Sequence, residues 1–157
     1  MSDFQQEKKL VLEYFNSINN ANNENLIDTI TKYTSSDFKM RCTHPFNELS
    51  GAEEIANNLW VPIKNSFEPI QRRMDIFYAG INSLDDHEGK WVTSMGHLMG
   101  VFNKSFFGIQ PNYKSILLRY AEFYKVENNK ITEGAIFLDI MNFMQQLGLS
   151  VIPESTG

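Results

Sequence analysis

The chain is poor in cysteine, in basic residues and in long apolar runs, and each shortage closes off a class of protein. A single cysteine, Cys42, permits no internal disulfide. One Cys and three His also fall short of the usual structural zinc patterns, so no metal is expected. Lys and Arg number 14 against 19 Asp and Glu, for a net charge of -5, and the only adjacent basic pairs are Lys8-Lys9 and Arg72-Arg73. Phosphate backbones bind a concentrated basic face, which excludes nucleic acid as the main partner. No run approaches the ~18 apolar residues of a membrane span. Residues 1–20 carry Glu7, Lys8 and Lys9 and no sustained apolar segment of the signal-peptide kind, so the expected compartment is the cytoplasm.

What is present is material for a core. At 157 residues the chain has single-domain length, and a domain of that size buries about 70% of its unfolded surface without a staple. Hydrophobic residues make up 42% and charged residues 21%, and there are twelve Phe. One domain over 1–157 is expected, with its core at about 4–149 and a loose tail at 150–157.

The apolar spacing sets the elements. Leu10, Val11, Tyr14, Phe15 and Ile18 recur at helical intervals and predict a helix over 4–18. The Asn-rich stretch NSINNANNEN turns the chain, because Asn side chains bond nearby backbone. A second helix follows at 24–33, and alternation of Phe38, Met40 and Cys42 with polar residues predicts a strand at 37–44. A third helix begins after Ser50, which reads as an N-cap with Glu53 as its capping-box partner, and Pro62 should kink it or end its regular part. The period then becomes two, with strands at about 70–80, 90–105, 115–127 and 130–139. Asn128-Asn129 can take the positive φ of a tight type I′ hairpin. A short helix at 140–147 closes the chain, with Gly148 as its C′ residue. Helices followed by a strand meander make an α+β domain, with helices packed on one face of a curved antiparallel sheet.

The strands are apolar on both parities. In 91–102, Trp91, Met95, Met99 and Val101 share one side with His97, while Val92, Leu98 and Phe102 share the other. One face can meet the helices. The second is expected to meet another copy, giving a homodimer through the sheet face. Gly96 and Gly100 flank His97 and suggest a bend.

Isolated ionisable residues stand in this apolar company: Arg73, Asp75, His97, Arg119, Glu122 and Asp139. Taken singly, each has an ordinary explanation: a hydrogen-bonded core His, Arg119 paired with Glu122 or Asp75, Trp60 as core. Together they suggest an apolar pocket with a few convergent polar groups, the usual form of a small-molecule site. Desolvation would raise a carboxylate's pKa there, toward general acid/base work.

The segments GHLMGVF, FFGIQP, LLRYAEFYKVENNKITE and FLDIMNFMQQLG resemble the SnoaL-like polyketide cyclase family, within the nuclear-transport-factor-2-like superfamily. The likeness runs from about Leu10 to Leu149 and is best over 91–148. It implies a cystatin-like α+β cone whose bent antiparallel sheet wraps around the N-terminal helices and encloses one pocket. It implies aldol-type ring closure or isomerisation of a hydrophobic or aromatic carbonyl compound, with no cofactor. The Asp of the "LD" step matches Asp139, as acid/base, and the His of the "GH" step matches His97, which would orient it or stabilise an enolate. Arg119, Asp75, Trp60 and His44 are the expected substrate contacts. After Gly108-Ile109 this chain reads Gln110-Pro111-Asn112-Tyr113 where many relatives read Pro-Pro-Thr-Gly.

Two other readings stand beside this one. The same fold hosts binding modules without catalysis. Asp139 also directly precedes the last helix, where Asp is a preferred N-cap, and a helix N-terminus keeps a carboxylate ionised.

Overall fold

The computed structural model describes residues 4–150 and 152–153. Helix α1 (Gln5–Asn20) forms because Leu10, Val11, Tyr14, Phe15 and Ile18 make one continuous buried stripe. After a short 3-10 turn, Asn23–Asn25, the chain enters α2 (Leu26–Tyr33), which buries Leu26, Ile30 and Tyr33. The two helices are tied by a 2.9 Å hydrogen bond between the Ser17 and Tyr33 hydroxyls. Strand β1 (Thr34–Cys42) turns back through residues 43–47 to the short β2 (Glu48–Ser50).

The third helix departs from the reading of its sequence in two ways. It consists of α3 (Gly51–Ile55), one π turn (Ala56–Trp60) and α4 (Val61–Ser66). The wide turn falls just ahead of Pro62, where a regular helix would require the N–H that proline lacks. It carries Leu59 and Trp60 inward, both fully buried. At the start, Ser50 makes no side-chain cap, and the Ser50 backbone N–H donates to Glu54 Oε2 at 2.7 Å. Gly51, at φ 79°, turns the chain so that Glu54 rather than Glu53 reaches back.

The remaining strands are β3 (Phe67–Asn82), β4 (Gly89–Phe102), β5 (Ser115–Glu127) and β6 (Lys130–Leu138), followed by α5 (Ile140–Gln146). The sheet order is β2-β1-β6-β5-β4-β3. β3 to β6 form the expected antiparallel meander, while β1 adds to β6 in parallel. Asn128 and Asn129 both take positive φ, 49° and 58°, in the tight β5–β6 turn. Gly148, at φ 75°, ends α5, and the Leu149 N–H bonds to the Met144 carbonyl at 3.0 Å, the Schellman pattern. Of the expected loose tail, Val151 and residues 154–157 lie outside the described residues.

The bend comes from close backbone contact. A Cβ on Gly96 would lie 2.0 Å from the Arg73 carbonyl oxygen, so only glycine lets β3 cross β4 there. β3 shifts register twice along β4, between Glu68 and Gln71 and between Met74 and Ile76. The concave face carries Val92, Leu98, Leu118, Tyr120 and Tyr124 against α1 and α2, all buried. Its far end is closed by Phe67, Phe102, Phe106 and Phe143, with neighbouring ring centroids 5.2 to 5.8 Å apart. Among the described residues, none covers the part of the convex face that carries Ile76, Tyr78, Met95 and Phe137. These four residues are, in turn, 44%, 57%, 39% and 52% exposed, so strands apolar on both sides are closed on one side only.

Candidate functional site

At the centre of the concave face lies an ion pair shut away from water. The double register shift in β3 turns Arg72 inward and Arg73 outward. Arg72 and Glu122 of β5 have side chains 3% and 0% exposed and are joined by a charge-assisted bond from Nη1, with Nη2 reaching the second carboxylate oxygen at 3.5 Å. The guanidinium sits 3.9 Å over the Phe15 ring, 4.6 Å from Tyr120 and 5.9 Å from Trp60. The Tyr124 hydroxyl donates to Glu122 Oε1 at 3.2 Å, and Ser94 and Tyr120 share a hydroxyl contact of 2.9 Å.

Burial pushes the Glu122 carboxyl up, and Arg72 and Tyr124 oppose that shift without cancelling it. For Arg72, burial pulls the other way, but Glu122 and Tyr120 beside it together outweigh burial and hold the guanidinium charged. Burial also raises the Tyr14 and Tyr124 hydroxyls, with Glu122 adding to both. Among the described residues, three buried polar atoms in this cluster lack a partner: the Tyr14 hydroxyl, the Trp60 indole nitrogen and Arg72 Nε. Tyr14 is near enough to Trp60 to feel its N–H, yet the two make no hydrogen bond of good geometry. Buried donors without partners are uncommon in native interiors, because each forgoes its bond to water.

Four of the expected site residues come together elsewhere, in one row across the convex face. Arg73, His97 and Arg119 are register partners on β3, β4 and β5. Asp75 forms an ion pair with Arg73, 3.3 Å from its Nε, and lies 3.4 Å from His97 Nδ1. Asp139 receives Arg119 Nη1 at 3.4 Å through Oδ2, while its Oδ1 accepts the Asn142 N–H at 2.9 Å. Asp139 is therefore the N-cap of α5, and both of its oxygens are engaged. Beside it runs a surface cleft of about 520 Å³ walled by Met141, Gln145, Leu149 and Ile152.

The other two expected residues lie apart from this row. Trp60 is inside, against Arg72. His44 is exposed in the turn between β1 and β2 and makes no ion pair among the described residues. Arg119 does not pair with Glu122, because the two project from opposite faces of β5; Arg72 takes that role. Along β5, Glu122 alternates onto the same face as Tyr120 and Tyr124. Nothing in sequence singled out Arg72, whose inward turn depends on the bulges of β3. Among the described residues, no group of three or more His, Cys, Asp or Glu could hold a metal ion, and no helix is long and apolar enough to cross a membrane.

Solved structures match almost the whole chain. A candidate SnoaL-like polyketide cyclase from Jannaschia superposes with a TM-score of 0.70 at 14% identity, over 94% of either chain. An NTF2-like protein from Burkholderia thailandensis gives 0.63 at 14% identity, over 90% of this chain and 96% of its own. The fold is the nuclear-transport-factor-2-like cone. AclR of Streptomyces galilaeus, a candidate hydroxylase, shares it at 19% identity with a TM-score of 0.69, over 94% of this chain and 85% of its own. The SnoaL-like polyketide cyclase family model matches residues 83–147, which span β4, β5, β6 and α5. Among curated proteins, none matches the chain in sequence. The cone thus places the Arg72–Glu122 pair inside and the Asp139–His97 row outside. One fold whose neighbours are named for different reactions leaves the chemistry to the site.

Proposed function

We propose that this protein is a small-molecule enzyme of the cyclase or isomerase kind, using acid/base chemistry without a cofactor on a hydrophobic carbonyl compound. Its ionisable centre in this reading is Glu122 with Arg72 at the heart of the cone. The observation that supports it is the set of three unpartnered donors, from Tyr14, Trp60 and Arg72, gathered around one desolvated carboxyl. A carbonyl oxygen entering there would satisfy them. As Glu122 takes a proton from the adjacent carbon, negative charge moves to that oxygen, where fixed donors are most effective in a water-free site. Returning the proton to a different carbon completes an isomerisation; in a ring closure the enolate carbon attacks a second carbonyl, and the alkoxide formed there takes the proton back from Glu122.

A second reading keeps Asp139 and His97 as the acid/base pair on the convex face. It is favoured by Asp75, which lies against His97 Nδ1 and leaves Nε2 free, and by Arg119 directly opposite, placed to receive an enolate oxygen. The convex apolar strip of Ile76, Tyr78 and Met95 supports a homodimer through this face, as apolar sheet faces of that kind are commonly covered by a second copy.

Native mass spectrometry of the purified protein tests for a retained small molecule, and an anthraquinone keto-ester serves as the turnover probe. Glu122→Gln should lower turnover ~10²-fold or more, while Asp139→Asn retains it. The opposite pattern establishes the second reading. A retained ligand with no turnover in any form makes the protein a binding module. Light scattering tests the dimer: a mass of 18.1 kDa would refute it.

A further inference from the structure

The convex face holds a second hollow, separate from the Arg72–Glu122 centre and independent of what that centre does. Along one register row Arg41 of β1, Ala135 of β6 and Phe123 of β5 stand side by side. Alanine between an arginine and a phenylalanine leaves a gap, and that gap is the floor of a cavity of about 390 Å³. Volumes of this order suit one small ligand.

The walls are flat and held in place. Phe123 and Phe137 meet edge to face at 6.1 Å. The Trp91 indole N–H donates to the His87 carbonyl at 2.8 Å, and Asn82 Nδ2 donates to the same oxygen at 3.0 Å, so the indole plane is fixed across the hollow. The polar lining is Arg41, Asn82 and His87. Glu133 Oε1 lies 2.6 Å from His87 Nδ1 and 3.3 Å from Arg41 Nη2. The Arg41 side chain is 51% exposed, and its remaining N–H groups are free to take a second acceptor.

We infer that this hollow is a binding site for a flat aromatic carboxylate, its ring lying between Trp91 and the Phe123–Phe137 pair and its acid group on Arg41. Apolar walls with a half-exposed arginine at the edge, one of whose nitrogens Glu133 already holds, select that class: a neutral ring gains the burial alone, and an aliphatic acid gains the contact with Arg41 alone. The hollow reaches Trp91 of β4 and Asn82 of β3, and Tyr78 stands in the same register row as Phe123, through Thr93, so a second copy seated on Ile76 and Tyr78 would border it.

The probe is 2-naphthoate, titrated at low salt by calorimetry and by fluorescence, where Trp91 and Trp60 are the two reporters. One molecule should bind per chain. Arg41→Met should weaken 2-naphthoate tenfold or more and leave naphthalene nearly unchanged. Ala135→Met, which fills the floor, should abolish both. Trp91→Phe should remove the fluorescence response. Glu122→Gln should leave binding as it was, so failure here and failure of the proposed enzyme activity are read separately. Far-UV circular dichroism and a melting curve confirm that each variant is folded. The inference is overturned if nothing saturates below about 1 mM. It is equally overturned if Ala135→Met binds normally, or if Glu122→Gln, and not Arg41→Met, removes binding.

Discussion

Replacing Arg72, whose guanidinium lies against Phe15, Trp60 and Tyr120, with methionine keeps most of the side-chain volume and strands the buried Glu122 carboxylate without its cation. Removing one partner of a buried pair typically costs about 3–5 kcal/mol, most of it the desolvation of the charge left behind. For a chain of this length each kcal/mol is worth roughly 2–4 °C, so the melting temperature should fall by about 10–15 °C at pH 8. The loss should depend on pH in a definite direction. Burial already holds the folded carboxyl above its unfolded value. A group raised in this way contributes stability that is full below the unfolded pKa and is lost as pH rises through the folded one. Without Arg72 the folded value climbs further. The penalty therefore concentrates at high pH and shrinks toward pH 5, where Glu122 can stay neutral. Urea unfolding followed by circular dichroism at pH 5 and pH 8 measures both. Arg72→Met/Glu122→Gln, which has no charge to strand, should recover much of the stability at pH 8. A cost below about 1 kcal/mol at pH 8, or an equal cost at both pH values, would refute the assignment of a desolvated charge pair.

Other consequences are smaller and independent. Asp139→Ala should lose about 1 kcal/mol through the α5 cap, with Asp139→Asn close to wild type in chemical denaturation. Gly96→Ala should destabilise by about 3 kcal/mol, since its Cβ would collide with backbone, whereas Gly80→Ala, with open space around it, should be tolerated; thermal melts of the two separate the effects. Burial, with Glu122 adding, pushes the Cys42 thiol up to about 12, so iodoacetamide at pH 8 should label the folded chain roughly a thousandfold more slowly than the urea-unfolded one, as followed by mass spectrometry.

The parts that were legible in the sequence are those where local chemistry decides. The stripe of Leu10, Tyr14 and Ile18, the Asn128-Asn129 turn and the Gly148 cap each act within a few residues, and each forms as its spacing suggests. Parity in β5 correctly sorted Tyr120, Glu122 and Tyr124 from Leu117 and Arg119. In β3 two register shifts interrupt the alternation, so spacing alone does not distinguish Arg72 from Arg73. The parallel pairing of β1 with β6 depends on contacts far away in sequence. The site divides along the same line. Asp139, His97, Arg119 and Asp75 could be seen as a group because they share a face, but that face is the convex one. Which side of the sheet the helices cover is a tertiary fact.

That distant pairing also bears on how the chain is made. β1 leaves the ribosome early, yet the strand it must lie beside is β6, where Lys39 meets Glu133 and Cys42 meets Ile136. Until residues 130–138 emerge, β1 has only the three-residue β2 to occupy its hydrogen-bonding groups. Its other edge stays open through most of synthesis, a template for stray strands. The nascent chain is therefore most vulnerable to aggregation just before its last strand arrives, and pausing there should call on chaperones more than pausing anywhere else.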